Sequence, residues 1–202
     1  MRSKTWNKEH AEDPYVKRAH KEGWRSRAVY KLEELDKKYN LIQSGMNIVD
    51  LGAAPGGWSQ YAINKVGKSG KMIAIDVLDM DSISHVRFLK GDFTEQEIYE
   101  SLREIVGQTT IDLVLSDMAP NISGISSVDQ PKAMYLAELA ADFALEVLSA
   151  DGGLLVKLFQ GSGFDDYVKM LRSKFSKVLI RKPEASRARS RETYALATHI
   201  KL

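Results

Sequence analysis

The order of apolar and polar positions along the chain predicts strands that alternate with helices. From Gly45 onward, short apolar runs are separated by longer stretches with helical spacing, a pattern typical of β-α-β units and a mainly parallel sheet. The predicted strands are 46–51, 71–76, 86–90, 111–116, 154–159, 177–180 and 192–200. The predicted helices are 58–66, 94–106, 130–148 and 164–174, and a turn at 151–153 leads into the fifth strand.

The last two predicted strands have no helix between them. Their link of about ten residues is too short for the crossover that parallel neighbours need, so we expect them to pair antiparallel. The pattern therefore predicts an α/β protein with a Rossmann-like, seven-stranded, mainly parallel sheet. One strand of this sheet should be antiparallel, and helices should cover both of its faces.

The composition favours one globular domain over residues 1–202, because 44% of the 202 residues are hydrophobic. The chain has no cysteine, which excludes disulfides and thiolate chemistry, and its four histidines are scattered, so we expect no metal site. No apolar run approaches the roughly 18 residues that span a membrane. The first residues are charged rather than apolar, so we expect a cytoplasmic protein without membrane contact.

Basic residues are concentrated in two segments. Residues 1–31 hold nine Lys or Arg against four Asp or Glu, and residues 181–191 hold five against one. The two segments together carry +9, which leaves −7 for the rest of a chain whose net charge is +2. This asymmetry indicates a polyanion-binding face on an acidic body, although a solvated terminus is the alternative for the first dozen residues. Arg25 and Arg27 precede a segment with helical spacing, so we expect them at the start of an ordered helix.

Acidic residues stand where predicted strands end, and ligands of open α/β sheets bind at those ends. Asp50 closes the first strand and precedes the glycine-rich loop 52–57, whose spacing is not the Gly-x-Gly-x-x-Gly of a pyrophosphate cradle. Asp76 ends the second strand, where its carboxylate could accept hydrogen bonds from both hydroxyls of a ribose. Together these features indicate a nucleoside without a pyrophosphate beside it.

Three further residues extend this predicted pocket. Asp92 follows the third strand and could accept from an exocyclic adenine amine, and Asp117 follows the fourth strand. Trp58 adjoins two glycines, which favours a place in the pocket wall. The structural alternatives are a helix cap for each aspartate, a simple tight turn for the glycines and core packing for the tryptophan.

Four motifs give the chain a family resemblance that extends from about residue 15 to about residue 198. The motifs are Ala54-Pro-Gly-Gly-Trp58, Ser116-Asp-Met-Ala-Pro120, Val156-Lys-Leu-Phe-Gln-Gly161 and Ser186-Arg-Ala-Arg-Ser-Arg-Glu192. Together with the stretch 23–31, they closely resemble the FtsJ family of ribosomal RNA ribose 2′-O-methyltransferases. The predicted sheet, with its single antiparallel strand, matches the class I methyltransferase fold better than the dehydrogenase fold.

The resemblance implies a reaction and its residues. A tetrad around the target hydroxyl would consist of Lys31, Asp117, Lys157 and Glu192, with no departure from the family pattern. The cofactor would be S-adenosylmethionine, with S-adenosylhomocysteine as product and no metal, and the implied contacts are Gly56, Trp58, Asp76, Asp92 and Asp117. The implied substrate is a uridine ribose in large-subunit, 23S-type ribosomal RNA, within the assembled or nearly assembled subunit.

Lys157 lies within an apolar run, where a charged side chain needs a reason. The structural alternative is a lysine that reaches solvent at a strand end. In the implied reaction, desolvation and the like charge of Lys31 would leave a neutral fraction that accepts the 2′-hydroxyl proton. Asp117 and Glu192 oppose that effect, and a charged Lys157 could instead orient the oxygen lone pair. Both versions stay open at this point.

Phosphate contacts are expected from the basic segments, because such contacts supply affinity and register. The predicted contacts are Arg25, Arg27, Arg187, Arg189 and Arg191. A further basic patch is Lys17, Arg18 and Lys21, and the aromatic residues that could stack on bases are Trp6, Tyr15 and Trp24. We expect a monomer. The competing hypotheses are a non-catalytic RNA-binding or ribosome-assembly factor and a nucleotide-dependent oxidoreductase.

Overall fold

Seven strands form one sheet in the computed structural model of the chain, which describes residues 12–201. The strands are β1 (Asn47–Leu51), β2 (Lys71–Asp76), β3 (Val86–Lys90), β4 (Ile111–Ser116), β5 (Leu148–Phe159), β6 (Phe175–Arg181) and β7 (Glu192–Ile200). The helices are α1 (Pro14–Glu22), α2 (Val29–Tyr39), α3 (Gly57–Val66), α4 (Gln96–Val106), α5 (Ser126–Val147) and α6 (Phe164–Lys174), with a 3-10 turn at Gly67–Ser69.

The strand order is β3-β2-β1-β4-β5-β7-β6. Strands β1 to β5 pair in parallel, whereas β7 runs antiparallel to both β5 and β6. The predicted fold class is therefore confirmed, including the antiparallel pairing of the last two strands. Strand order reverses between β1 and β4, so the carboxyl ends of β1, β2, β4 and β5 meet at one edge, which the start of β7 joins. Ligands of open α/β sheets bind at such a switch point.

Helices cover both faces of the sheet because neighbouring strand residues point to opposite sides. In β1, Ile48 packs into a buried cluster that includes Leu32 of α2 and Ala62 of α3. Val49 packs into the other cluster, with Leu102 of α4 and residues of α5 and α6. The two clusters enclose the sheet between two layers of helices, which leaves the strand ends as the accessible edge.

The structure differs from the sequence prediction around β5. Helix α5 begins at Ser126, earlier than expected, so Pro131 lies inside the helix beyond its first turn, where the missing N–H removes one helical hydrogen bond. Residues 151–153, predicted as a turn, lie inside β5 instead, where the pairing with β4 shifts register between Ile111 and Leu113. An irregularity of this kind accommodates the two glycines without ending the strand.

The region before β1 also differs. Helix α1 was not predicted, although Asp13 and Pro14 form a recognisable start: the Asp13 carboxylate accepts from the N–H of Tyr15 at 3.0 Å, and proline suits the first turn. Arg25 and Arg27 lie in the link before α2, which begins at Val29. The prediction for Trp6 falls outside the described residues, as does the first part of the basic segment 1–31. No helix among residues 12–201 is long and apolar enough to cross a membrane.

Candidate active site

Asp50 lies at the switch point with a fully buried carboxylate. Its Oδ2 accepts a hydrogen bond from the Ser59 hydroxyl at 2.7 Å, whereas Oδ1 has no hydrogen-bond partner among residues 12–201. Burial raises the pKa of Asp50 to about 7, and the negative charges of Asp117 and Asp76 add to the effect. Several carboxylates are thus close together at this strand edge, and the charges that act most on Asp50 are negative.

The loop between β1 and α3 requires glycine at two positions where neighbouring loops lie close to its main chain. Gly52 has φ +79°, and a Cβ there would lie 2.8 Å from the Cγ of Met118 in the loop after β4. Gly56 has φ +106°, and a Cβ there would lie 2.8 Å from the Sδ of Met80. Side chains at either position would both strain the backbone and push neighbouring loops away. Gly56 also precedes α3, whose first turn has no side-chain cap.

The two other predicted strand-end aspartates lie at the same edge and organise turns there. The Oδ2 of Asp76 accepts from the N–H of Ala54 at 2.8 Å, and its Oδ1 accepts from that of Leu78 at 2.8 Å. The Oδ1 of Asp92 accepts from both the N–H and the hydroxyl of Thr94, at 2.9 and 2.7 Å. Both carboxylates therefore hold turns and loops, and neither caps a helix, which was the structural alternative. Their contact with a cofactor stays a prediction.

The side chain of Trp58 packs in the core, beside Tyr194. It is 3% exposed, its indole N–H donates to the carbonyl of Ala28 at 2.8 Å, and its ring centroid lies 5.7 Å from that of Tyr194. Core packing was the structural alternative for this residue, and it follows because α3 directs the side chain towards the link before α2 and towards β7. The contact of Trp58 with a cofactor stays a prediction.

The four residues of the predicted tetrad form two lysine–carboxylate pairs. The Nζ of Lys31 lies 2.7 Å from Oε1 of Glu192, and both side chains are nearly buried. The Nζ of Lys157 lies 3.2 Å from Oδ1 of Asp117 and donates to the carbonyl of the same residue at 2.5 Å. Residues of α2, β5 and β7 and the residue that follows β4 thus meet at one edge of the sheet, although they lie far apart in the chain.

Tyr194 joins the two pairs, and sequence reasoning missed it. Its hydroxyl donates to Oδ1 of Asp117 at 2.6 Å, and the Nζ of Lys31 lies 5.8 Å from the centroid of its fully buried ring. Burial, together with the charges of Asp117 and Glu192, raises the pKa of Tyr194 well above its usual value, so the phenol stays a donor. A signal existed, because Glu192 and Tyr194 are two residues apart on a strand and therefore share a face. Tyr194 also pairs directly with Lys157 across the sheet.

Asp117 is an ionised carboxylate in this arrangement. Burial acts to raise its pKa, but the positive charges of Lys157 and Lys31 and the hydrogen bond from Tyr194 outweigh burial, so the pKa lies below its usual value. The carboxylate can therefore hold the Nζ of Lys157 in place through their 3.2 Å contact. The four side chains of the tetrad are therefore charged, largely shielded from solvent, and gathered at the strand edge.

Three of the five predicted RNA-binding arginines, Arg187, Arg189 and Arg191, lie in the link between β6 and β7, and Arg27 contacts this link. Asp13 accepts from Arg27 at 2.6 Å and lies 3.6 Å from Arg187, and Arg27 also donates to the carbonyl of Ala185. Arg191 donates to the hydroxyl of Ser126 at 3.3 Å, and Arg189 is exposed. Arg25 lies apart, against the loop that follows β1. Contact of these side chains with RNA stays a prediction.

Comparison with known proteins identifies the family of the chain. A family model described as FtsJ-like methyltransferase matches residues 24–200. A protein named ribosomal RNA large subunit methyltransferase E, from Legionella pneumophila (strain Corby), is 57% identical over 195 residues, which cover 96% of this chain and 95% of that protein. One of the same name from Pseudomonas fluorescens (strain Pf0-1) is 55% identical over 199 residues, covering 97% and 95%.

Solved structures agree with this relationship. A crystal structure described as a ribosomal RNA methyltransferase from Plasmodium falciparum is 30% identical and has a TM-score of 0.77, covering 88% of this chain and 98% of that one. A structure from Clostridium thermocellum, described as an rRNA methylase, has a TM-score of 0.57 at 17% identity and supports the fold alone. On the match over residues 24–200 and on these identities, the chain belongs to the family of FtsJ-like methyltransferases.

Proposed function

We propose that the chain transfers a methyl group from S-adenosylmethionine to a ribose 2′-hydroxyl of large-subunit ribosomal RNA. The observation that carries the proposal is the pair of lysine–carboxylate contacts joined by Tyr194 at the switch point of the sheet. Two lysines directed at one edge suit a hydroxyl whose oxygen must be held in line with an incoming methyl group. The names of the relatives support ribosomal RNA as the substrate. We infer a uridine in the assembled or nearly assembled subunit, and a cytoplasmic monomer.

The residues at the strand edge fit this cofactor. S-adenosylmethionine carries a sulfonium and an ammonium group against one carboxylate, so it is a net cation, and the buried Asp50 has an oxygen without a partner. The main chain around Gly56 and the carboxylates of Asp76 and Asp92 would hold the nucleoside end. When bound, the cofactor supplies an electrophilic methyl group.

The chain's own residues position the hydroxyl and manage its proton. Lys157 lies against the ionised Asp117, whose carboxylate holds the lysine Nζ at the pocket, so we propose that this Nζ donates to the ribose oxygen and directs a lone pair. Once the oxygen carries the methyl group it is a protonated dialkyl ether, which is a strong acid, so it loses its proton to water. Lys31 and Glu192 hold the other side of the pocket, and Tyr194 fixes the carboxylate of Asp117.

The proposed RNA contacts lie beside this pocket. Arg187, Arg189 and Arg191 immediately precede Glu192, so phosphates bound there would lie next to the tetrad. Arginine is suited to the task because its guanidinium forms paired hydrogen bonds with phosphate oxygens. Asp13 holds Arg27 and Arg187 together before RNA arrives, which would pre-organise two of the contacts.

The experiment is a transfer assay with labelled S-adenosylmethionine and large ribosomal subunits that lack the modification. We expect label in the RNA of the subunits, and less or none in protein-free RNA. The matched control is the Lys157→Met variant, which keeps the length of the side chain without its charge and should transfer no label. RNA binding without transfer by the wild-type chain would favour the non-catalytic assembly factor instead.

A further inference from the structure

The guanidinium of Arg25 is bonded to two loops at the cofactor edge. Its Nη1 donates to the carbonyl of Asp81 at 2.6 Å and to that of Pro55 at 3.3 Å, and its Nη2 donates to the carbonyl of Ser82 at 2.9 Å. Pro55 belongs to the loop between β1 and α3, whereas the other two residues belong to the loop between β2 and β3. One side chain therefore ties together two loops that have no strand pairing of their own.

The aliphatic part of Arg25 packs on the same place. A Cβ added to Gly56 would lie 3.1 Å from the Cδ of Arg25, 2.8 Å from the Sδ of Met80 and 2.9 Å from the Cδ1 of Ile83. Arg25, Met80 and Ile83 thus all lie against Gly56 at the point where a side chain would stand. They add to the bonds that Gly52, Ala53 and Ala54 of the same loop make to the end of β2.

The main chain at Arg25 is also held. Its N–H donates to Oε1 of Gln60 at 3.1 Å, and Nε2 of Gln60 donates to the carbonyl of Gly23 at 3.0 Å. The segment is therefore anchored on α3, and it continues into α2, which carries Lys31. These contacts connect the loop at Gly56 to one lysine of the tetrad by a path of bonded residues.

We propose that Arg25 is a positioning residue for the cofactor loop and not a phosphate contact. This inference rests on the proposed function, because it assigns the loops at Gly56 and Met80 to the cofactor. A guanidinium presents five donors in a planar fork and can bond several carbonyls at once, which a lysine cannot reproduce. Without the fork, the two loops are less ordered before the cofactor binds. Part of the binding free energy must then be used to order them, so cofactor affinity should fall.

The test uses the Arg25→Lys variant, which keeps the positive charge but lacks the fork. We expect its dissociation constant for S-adenosylhomocysteine, measured by calorimetry, to rise about tenfold, which corresponds to ~1.4 kcal/mol. The KM for S-adenosylmethionine should rise with it, whereas kcat at saturating cofactor should stay close to the wild-type value. RNA affinity and its dependence on salt should not change.

Two further variants make the result specific. Met80→Ala removes part of the cover over Gly56 without a change of charge, so it should weaken cofactor binding as well. Arg103→Lys is the matched control, because Arg103 pairs with Glu146 between α4 and α5, away from both loops. It should bind both S-adenosylhomocysteine and RNA as the wild type does.

Two results would overturn the role of Arg25. One is an unchanged dissociation constant for S-adenosylhomocysteine in Arg25→Lys. The other is an RNA salt dependence that becomes shallower by about one counterion, as the loss of a phosphate contact requires. Failure of the proposed function would look different, because the wild-type chain itself would then not bind S-adenosylhomocysteine.

Discussion

Replacement of Asp50 by Asn should change how the stability of the protein depends on pH. The Asp50 carboxyl is fully buried, one of its oxygens has no partner, and burial raises its pKa to about 7. In the unfolded chain the same group has a pKa near ~3.9. Between these two values the folded protein binds a proton that the unfolded chain has released, so stability falls as pH rises.

The magnitude follows from the two pKa values. The free energy of unfolding should lose about 1.4 kcal/mol for each pH unit across a window of about three units, or ~4 kcal/mol in total. The Asn variant keeps the shape and the acceptor for Ser59, but it cannot ionise. We therefore expect similar stability for both proteins near pH 4, and an Asn variant that is more stable by up to about 4 kcal/mol near pH 8.

The assay is urea unfolding of the cofactor-free protein at several pH values, with the difference between the two proteins as the readout. Asp151→Asn serves as the control, because Asp151 is exposed and should give a constant difference. A difference between Asp50→Asn and wild type that does not vary with pH would refute the reasoning. Added S-adenosylmethionine should stabilise the wild type more than the variant at high pH, since a cation offsets the buried charge.

Three other changes test the site. Lys157→Ala should lower kcat by at least about a hundredfold while cofactor affinity, measured by calorimetry, stays nearly intact; retention of a tenth of the activity would remove Lys157 from the reaction. Tyr194→Phe should cost about 1 to 2 kcal/mol in urea unfolding, because the buried Asp117 loses a donor, and an unchanged stability would show that the bond is weak. Replacement of Arg187, Arg189 and Arg191 by Ala should lower the slope of RNA affinity against salt by about 2 to 3, and an unchanged slope would exclude them as the contact surface.

The sheet could be predicted because each of its strands is encoded by a short, continuous stretch of sequence. Each buried strand is a short apolar run, and the short link before β7 leaves antiparallel pairing as the remaining choice. The start of α5 was missed because a helix from residue 130 places Pro131 in its first turn, where proline is favoured, whereas the structure has Pro131 inside the helix. The turn expected at 151–153 was wrong because a strand with a register shift can absorb two glycines.

The partners of individual side chains were harder to predict, because they depend on packing between distant segments. Arg25 donates to main-chain carbonyls 30 to 57 positions away, and a carbonyl acceptor leaves no trace in the sequence. Trp58 could as well have faced a ligand as the core, since both environments accept an indole. Tyr194 was within reach of sequence reasoning, because strand alternation places it on the same face as Glu192.

The position of the methyl group on the RNA tests the central claim most directly. Large subunits that lack the modification would be labelled by the protein, and their RNA digested with alkali, which cleaves a phosphodiester only beside a free 2′-hydroxyl. The tetrad of Lys31, Asp117, Lys157 and Glu192 predicts label in an alkali-resistant dinucleotide, methylated on the ribose. Label released as a methylated base, in a mononucleotide, would contradict it.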